Sequence, residues 1–441
     1  MLRKVNGKED LTGAAISIAR ANADALFYDG LQYSPPARGS WNIVHSAMLV
    51  PESHQFYICA LGCLRGVVLT AAEMGDMSRF SSIIIEEHHL YDGTMEETII
   101  NSITDILQGL PKLPKVAFVY PSCVHHFMGC DFDGIYDTLQ QTFPTVQFMP
   151  CWMDPIRRQS NLTAEMRTRR QMYRPLKKTT LDTKSINIVG SNLAVKDCEL
   201  RSLIEDNGFT LRQLPECQTY DDYEKMAQSF LNIGQEPLAH VPLDDMAERL
   251  GQEQLYVPVT WDYAEMTAHL QDVADCLGVS LPDYSETIEA CETAFKKTKE
   301  ILGNTPIVID YTAVFQLFGL AKTLVEHGFA VTRIYTDTCT PDDKENFAWL
   351  QTHCPSLMIY ATRHAKLREA TRQTATPVLA IGQKAAYFTG TKYFVNIAEG
   401  GSLRDFTGLR NLLGLMVDAY EHPKDAVDYI QQKGWGCTSC L

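Results

Sequence analysis

Lys115-Val116-Ala117-Phe118-Val119-Tyr120, followed by Pro121-Ser122-Cys123, decides how this chain is read. The first six residues form a short apolar run rich in β-branched and aromatic side chains, the pattern of a strand buried in a parallel sheet. That strand delivers Cys123 to the loop where a parallel sheet presents functional residues. Upstream, Ser82-Ile83-Ile84-Ile85 is a second run of the same kind, and Asp92-Gly93-Thr94 makes a turn. Apolar residues at Ile99, Ile100, Ile103, Ile106, Leu107 and Leu110 then mark one face of an amphipathic helix. Downstream, residues 134–143 read as a helix and Val146-Gln147-Phe148-Met149 as a strand ending at Cys151. Strand and helix alternate throughout, which predicts an α/β fold of parallel sheets flanked by helices.

The pattern recurs twice. Ile186-Asn187-Ile188-Val189-Gly190 and Pro306-Ile307-Val308-Ile309-Asp310 each open a further strand–loop–helix series. In one, a helix over 200–207 ends in Gly208-Phe209 and leads to a strand over 210–214. In the other, a helix over 315–327 ends in Gly328-Phe329 and leads to a strand over 330–335, with glycine closing both helices. Three Rossmann-like domains are expected, over residues 1–180, 181–300 and 301–441. Before the first strand, 10–26 reads as helix-like, and Tyr33-Ser34-Pro35-Pro36-Ala37-Arg38-Gly39-Ser40 as a loop.

Composition narrows the function. A chain of 441 residues exceeds one compact core. It has no apolar run long enough to span a bilayer, and the basic start Met1 to Lys8 is followed by no apolar segment of a signal peptide, so a cytoplasmic location is expected. A net charge of −15 argues against nucleic acid or anionic lipid as the main partner. The stretch from Arg157 to Lys178 is a local exception, with eight Lys or Arg and one acid, Glu165. It reads either as a solvated helix face or as a surface for an acidic partner or an anionic substrate. Neither strand–helix opening carries a G-x-G-x-x-G or a Walker A lysine, so any ATP is expected to be hydrolysed by another protein.

Thirteen cysteines in a reducing compartment point to metal or redox chemistry rather than disulfides. Cys59-Ala60-Leu61-Gly62-Cys63 sets two thiols four apart, which lie on one side if the segment is helical, and Cys123 approaches from the mouth of a sheet. Iron–sulfur clusters need thiolates because soft sulfur suits iron, and a cubane takes about four, from one chain or two. Cys59, Cys63 and Cys123 are therefore the candidate ligands, with Cys130 or Cys151 as a further donor. Packing as small hydrophobes is the other reading of these thiols. The terminal Cys437-Thr438-Ser439-Cys440 fits half a metal site, a dithiol pair or a plain tail. His125 and His126 beside Cys123 read as solvated or hydrogen-bonded rather than as ligands, and His45 as structural.

Taken in order, these segments resemble the nitrogenase component 1 family, which includes the nitrogenase α and β subunits, their cofactor-scaffold relatives and the dark-operative protochlorophyllide and Ni-sirohydrochlorin reductases. Leu61-Gly62-Cys63 is similar to the family's Gly-Cys cluster ligand, and Ser122-Cys123 through Gly129-Cys130-Asp131 to its Cys-then-Gly-Asp loop. The segment from Ser82 to Gly93, Ile188-Val189-Gly190-Ser191-Asn192, Tyr256-Val257-Pro258-Val259, and Glu399-Gly400-Gly401 through Leu412 extend the likeness over most of the chain. The resemblance implies an iron–sulfur subunit of a nitrogenase-like reductase, pairing with a related component-1-like chain in a heterodimer or heterotetramer, or with itself. It implies an interface cluster, [4Fe-4S] or P-cluster-like [8Fe-7S], that receives electrons from an ATP-hydrolysing iron–sulfur reductase and passes them to a reducible substrate. A cluster or cofactor assembly scaffold without turnover, and an α/β binding protein with inert thiols, are the alternatives.

The chain departs from the family pattern in two places. Where nitrogenase subunits carry an earlier cluster cysteine, this sequence has Pro36-Ala37-Arg38, so Cys59 would have to substitute. Residues 232–242 hold His240 but no cysteine, and 396–403 hold no histidine, so the residues that fasten the large cofactor of α subunits are missing. The likeness is therefore to a β-type subunit or a divergent relative rather than to a dinitrogen-reducing α subunit.

Overall fold

The computed structural model describes residues 11–27, 43–153, 162–190, 194–369 and 377–425. After β1 (Ala15–Ser17) the chain runs α1 (Ile43–Met48), β2 (Ser53–Cys59), α2 (Leu61–Glu73), β3 (Phe80–Ile84), α3 (Glu87–Tyr91), α4 (Met95–Gly109), β4 (Val116–Pro121), α5 (Cys123–Phe127), α6 (Phe132–Thr142), β5 (Gln147–Pro150) and α7 (Ala164–Gln171). It continues through β6 (Asp182–Val189), α8 (Glu199–Glu205), β7 (Thr210–Gln213), α9 (Tyr220–Glu224), β8 (Ser229–Gly234), α10 (His240–Leu250) and β9 (Glu253–Tyr256), then α11 (Tyr263–Leu277) and α12 (Ser285–Leu302). The last series is β10 (Ile307–Asp310), α13 (Leu317–Glu326), β11 (Val331–Tyr335), α14 (Lys344–His353), β12 (Met358–Tyr360), β13 (Leu379–Ile381), α15 (Gln383–Thr389), β14 (Tyr393–Val395) and α16 (Asp405–Glu421). Among the described residues no helix is long and apolar enough to cross a membrane.

Three sheets result, ordered β3-β2-β4-β5, β7-β6-β8-β9 and β1-β12-β11-β10-β13-β14. Every pairing is parallel except that of β1 with β12, so the α/β fold with parallel sheets flanked by helices is present. The described residues of 43–190 and 209–256 form one compact unit with the first two sheets, and those of 11–27, 194–208 and 257–425 form the other with the third.

In the first sheet all seven residues of β2 are buried. Phe56 and Ile58 face one side, where Ile99, Ile103 and Leu107 of α4 and Ile135 and Leu139 of α6 complete a core. Tyr57 and Cys59 face the other, against Val44 and Ala47 of α1 and Leu64 and Ala71 of α2. The alternation follows from the two-residue repeat of a strand. Across the paired strands Tyr57 stacks on Tyr120 with ring centroids 4.5 Å apart.

The same unit contains a buried ion pair. Arg169 of α7 donates to Glu236 Oε1 at 3.1 Å, and both side chains are 1% exposed. Glu165, one turn earlier, lies 3.7 Å from the same guanidinium, and burial raises its carboxyl above the usual range. Gly190 at the end of β6 is required here: its φ is +131°, and a Cβ would sit 2.8 Å from Glu236 Oε1.

In the other unit, the helix-like expectation for 10–26 is corrected; its first residue lies outside the described ones. Ala15, Ile16 and Ser17 pair antiparallel with Tyr360, Ile359 and Met358. The Ala-rich run has good local helix propensity, but a short helix is marginal in water, whereas the edge of β12 offers backbone partners. Gly208 and Gly328 adopt φ of +76° and +79° just past α8 and α13, as expected of helix-ending glycines. The loop expected over 33–40, and residues 191 and 192 of the family-like segment, lie outside the described residues.

Removing one member of the buried pair strands the other's charge. Arg169→Ala is expected to destabilise its unit by about 3–5 kcal/mol, read as a lowered urea midpoint. The Arg169→Ala/Glu236→Ala double variant should lose less than the sum of the two single changes.

Candidate functional site

In the first sheet the chain runs from β2 outward to β3, then returns across β2 to β4 and on to β5. The C-terminal ends of β2 and β4 are therefore the point where strand order reverses, the place at which open α/β sheets form a crevice for ligands. Cys59 is the last residue of β2, and its carbonyl accepts the Ile85 N–H at 3.1 Å. Ile58 pairs with Pro121, which sets Cys59 level with Ser122 and brings Cys123 in just beyond the edge. Cys63 is the third residue of α2, in a first turn whose N–H groups favour negative charge.

The three candidates differ in exposure. Cys63 is exposed, Cys123 is half-buried at the start of α5, and Cys59 is wholly buried. Burial first, and the neighbouring Cys63 second, push the Cys59 thiol up to about 12. Cys130 and Cys151 are the further proposed donors. Burial first and then Glu96 push Cys130 up to about 12, so an adjacent carboxylate disfavours its thiolate. Cys151 lies beyond β5, bonded through its N–H to Val119 O at 2.8 Å, and burial raises its thiol well above the ordinary range. Cys437 and Cys440 lie outside the described residues. Among the described residues, no three His, Cys, Asp or Glu side chains are grouped closely enough to hold a single metal ion.

As a donor set for an iron–sulfur cluster, Cys63 and Cys123 fit: both are soft sulfur ligands at an open edge. Cys59 fits in position but must leave the core and give up its proton, which metal binding itself favours.

His125 fastens the Cys123 loop. Its ring is buried, and its Nδ1 lies 3.1 Å from the Ser122 N–H nitrogen and 3.0 Å from the Ser122 carbonyl oxygen, so either tautomer has a backbone partner on Ser122. That fits the expected hydrogen-bonded role. His45 is buried in α1. His240 opens α10 with its ring 3.9 Å from that of Tyr256. The basic stretch divides where it is described: Arg167 and Arg169 of α7 are buried, whereas Arg174, Lys177 and Lys178 are exposed.

Reading the sequence did not anticipate an apolar rim. Of the nine large apolar side chains left exposed among the described residues, five (Leu61, Ile84, Tyr91, Phe127 and Met128) lie where the chain leaves this edge. Leu61 is 68% exposed and Phe127 72%, which is costly for side chains of this size unless something covers them. The available signal was apolar residues at the ends of strands and helices, off the buried stripe. Behind Ser122 a cavity of about 590 Å³ opens between the α5–α6 segment, the end of β5 and α7, and it too was not foreseen.

The family of nitrogenase component 1 type oxidoreductases matches over residues 62–401, and the chain belongs to it. Its members bind iron–sulfur clusters and work with an iron-protein reductase. Among solved structures the chain is similar to nitrogenase Cp1 at pH 6.5, with a TM-score of 0.66 and 11% identity over 95% of this chain and 97% of that one. It is also similar to nitrogenase Cp1 at pH 5, with a TM-score of 0.59 and 13% identity over 93% and 94%. At these identities the likeness establishes the shared fold. No curated protein sequence matches.

Alkylation of the folded, cluster-free single chain with iodoacetamide at pH 8, mapped by peptide mass spectrometry, should modify Cys63 first among Cys59, Cys63, Cys123, Cys130 and Cys151. Cys59 and Cys151 should stay protected until the protein is unfolded, because they are buried and protonated.

Proposed function

We propose that this chain is the iron–sulfur subunit of a nitrogenase-like oxidoreductase, and that Cys59, Cys63 and Cys123 bind a cluster at a face shared with a related chain or a second copy. The observation that carries the reading is the coincidence, at one strand-order reversal, of three cysteines and the exposed apolar rim. Such a cluster supplies single-electron storage and transfer. Cys63 and Cys123 furnish thiolates from the first turns of α2 and α5 at the edge, while Cys59 replaces the earlier ligand that the sequence lacks. The Ser122–His125 hydrogen bond holds the Cys123 loop against the sheet, and Leu61 and Phe127 exclude water once covered. The chain carries no Walker A lysine, so ATP hydrolysis belongs to the partner reductase.

Iron and sulfide analysis with EPR, on protein purified anaerobically with its natural partner, should show a cluster; a colourless, metal-free complex would sink the reading. Cys63→Ala and Cys123→Ala should each abolish the signal, and an unchanged spectrum moves the site elsewhere. Cys59→Ala should lower the iron content too, and full iron in that variant returns Cys59 to a packing role. Turnover with the cognate reductase and ATP separates an enzyme from an assembly scaffold.

A further inference from the structure

The two edges of the first sheet differ in charge. From residue 80 to 111, and again from 116 to 153, the sequence holds no Lys or Arg. Several acids of those segments border the apolar rim. Glu86 caps α3 and Glu87 opens it, between the exposed Ile84 and the exposed Tyr91. Asp131 caps α6 and Asp133 stands in its first turn, shortly after the exposed Phe127 and Met128. All four acids are exposed. Glu96 at the start of α4 joins the two groups, because its Oε1 accepts the Asp131 N–H at 3.3 Å. Against them α2 sets one cation, the exposed Arg65.

Cations that flank these strands lie at the other edge. Arg79 and Lys115 immediately precede β3 and β4, at the N-terminal ends of a parallel set. Arg79 is already 2.9 Å from Asp76, and Lys112, three residues before Lys115, is 2.6 Å from Glu52. The edge with the three cysteines therefore has an apolar centre and an anionic border.

An interface of this make-up gains most of its binding from the apolar centre, while the charged border selects the partner. A second copy placed here by a two-fold axis would present the same surface, so acids would meet acids, with Arg65 to offset them. Like charges brought together in this way oppose association. A copy that offered its cationic edge instead would dock head to tail, which builds rings or filaments rather than a closed pair.

We propose, on the shared-face reading given above, that the chain covering this edge is a non-identical subunit with a basic border and not a second copy. Lysines and arginines of that subunit would stand opposite Glu86, Glu87, Asp131 and Asp133, around the contact made by Leu61, Ile84 and Phe127.

The test is carboxyl-to-amine cross-linking with a water-soluble carbodiimide, applied to the complex purified anaerobically with its natural partner and mapped by peptide mass spectrometry. At least one of the four acids should couple to a lysine of a different chain. A mixture of isotope-labelled and unlabelled chain separates links between copies from links within one. Coupling of these acids to a second copy, or coupling of other carboxylates between the chains while these four stay unlinked, overturns the proposal. Glu86→Gln/Glu87→Gln and, separately, Asp131→Asn/Asp133→Asn should each weaken the complex by about threefold to tenfold, as the loss of two border charges predicts. That loss should shrink at high salt. Both pairs keep the side-chain oxygens that cap α3 and α6, so the helices stay intact, and unchanged affinity in both overturns the proposal. Without its partner the chain should sediment as a monomer, and a homodimer that Phe127→Asp dissociates overturns the proposal too. A metal-free complex that still shows the cross-links ends the cluster reading and leaves this one standing, whereas a cluster-bearing complex linked copy to copy does the reverse.

Discussion

Parallel pairing of β2 with β3 on one side and β4 on the other is the constraint on which the candidate site depends. A parallel ladder points all strand ends the same way, so the segments that follow β2 and β4 must leave from one edge. The register, with Ile58 opposite Pro121, then sets the height at which the two cysteine-bearing segments emerge. A shift of one residue would turn Tyr57 and Cys59 onto the α4–α6 face and Phe56 and Ile58 onto the other, so burial on both faces pins the geometry of the edge.

Rigidity on the far side of the cavity comes from charge rather than from hydrocarbon. Arg169 is fixed by Glu236 and Glu165, and Arg167 and Arg170 flank it on the same helix, so the ion pair sets the direction in which the other two guanidinia project. A buried pair of this kind adds little net stability compared with apolar residues of equal size. Its value lies in being costly to break by halves, which holds α7 in one orientation. Thr163 caps the same helix by accepting the Met166 N–H at 3.2 Å.

Much of the fold was legible because its signals are local. Apolar runs marked β3, β4 and β5, the stripe from Ile99 to Leu107 marked α4, and Gly208 and Gly328 marked two helix ends, all within windows that sequence periodicity resolves. β1 was not legible, since Ala14, Ala15 and Ile16 favour a helix locally and are claimed by a strand more than 340 residues away, a contact no local pattern encodes. The position of Cys63 and Cys123 at one edge was readable once a parallel sheet was expected. Burial of Cys59 was not, because it depends on which side of β2 the α1–α2 layer covers. Burial of Arg169 within the basic stretch was not legible either, because the Glu236 that neutralises it is far away in sequence.

Taken together, the donor set and the apolar rim bear on how many chains build the site. Within one chain the described residues supply no group that encloses a single ion, yet two thiols stand open at the edge and a third lies just beneath it. Sulfide-bridged iron spreads its protein ligands over several metal atoms, so such thiols need not converge on one point, but a cluster held only by them would face water on its outer side. The exposed Leu61, Phe127 and Met128 have the same incompleteness in apolar form, because each leaves apolar surface in contact with water. In the proposed assembly one covering surface would meet both shortages, by supplying further sulfur donors and removing the rim from water. That makes a site shared between two chains the most economical physical reading of this edge.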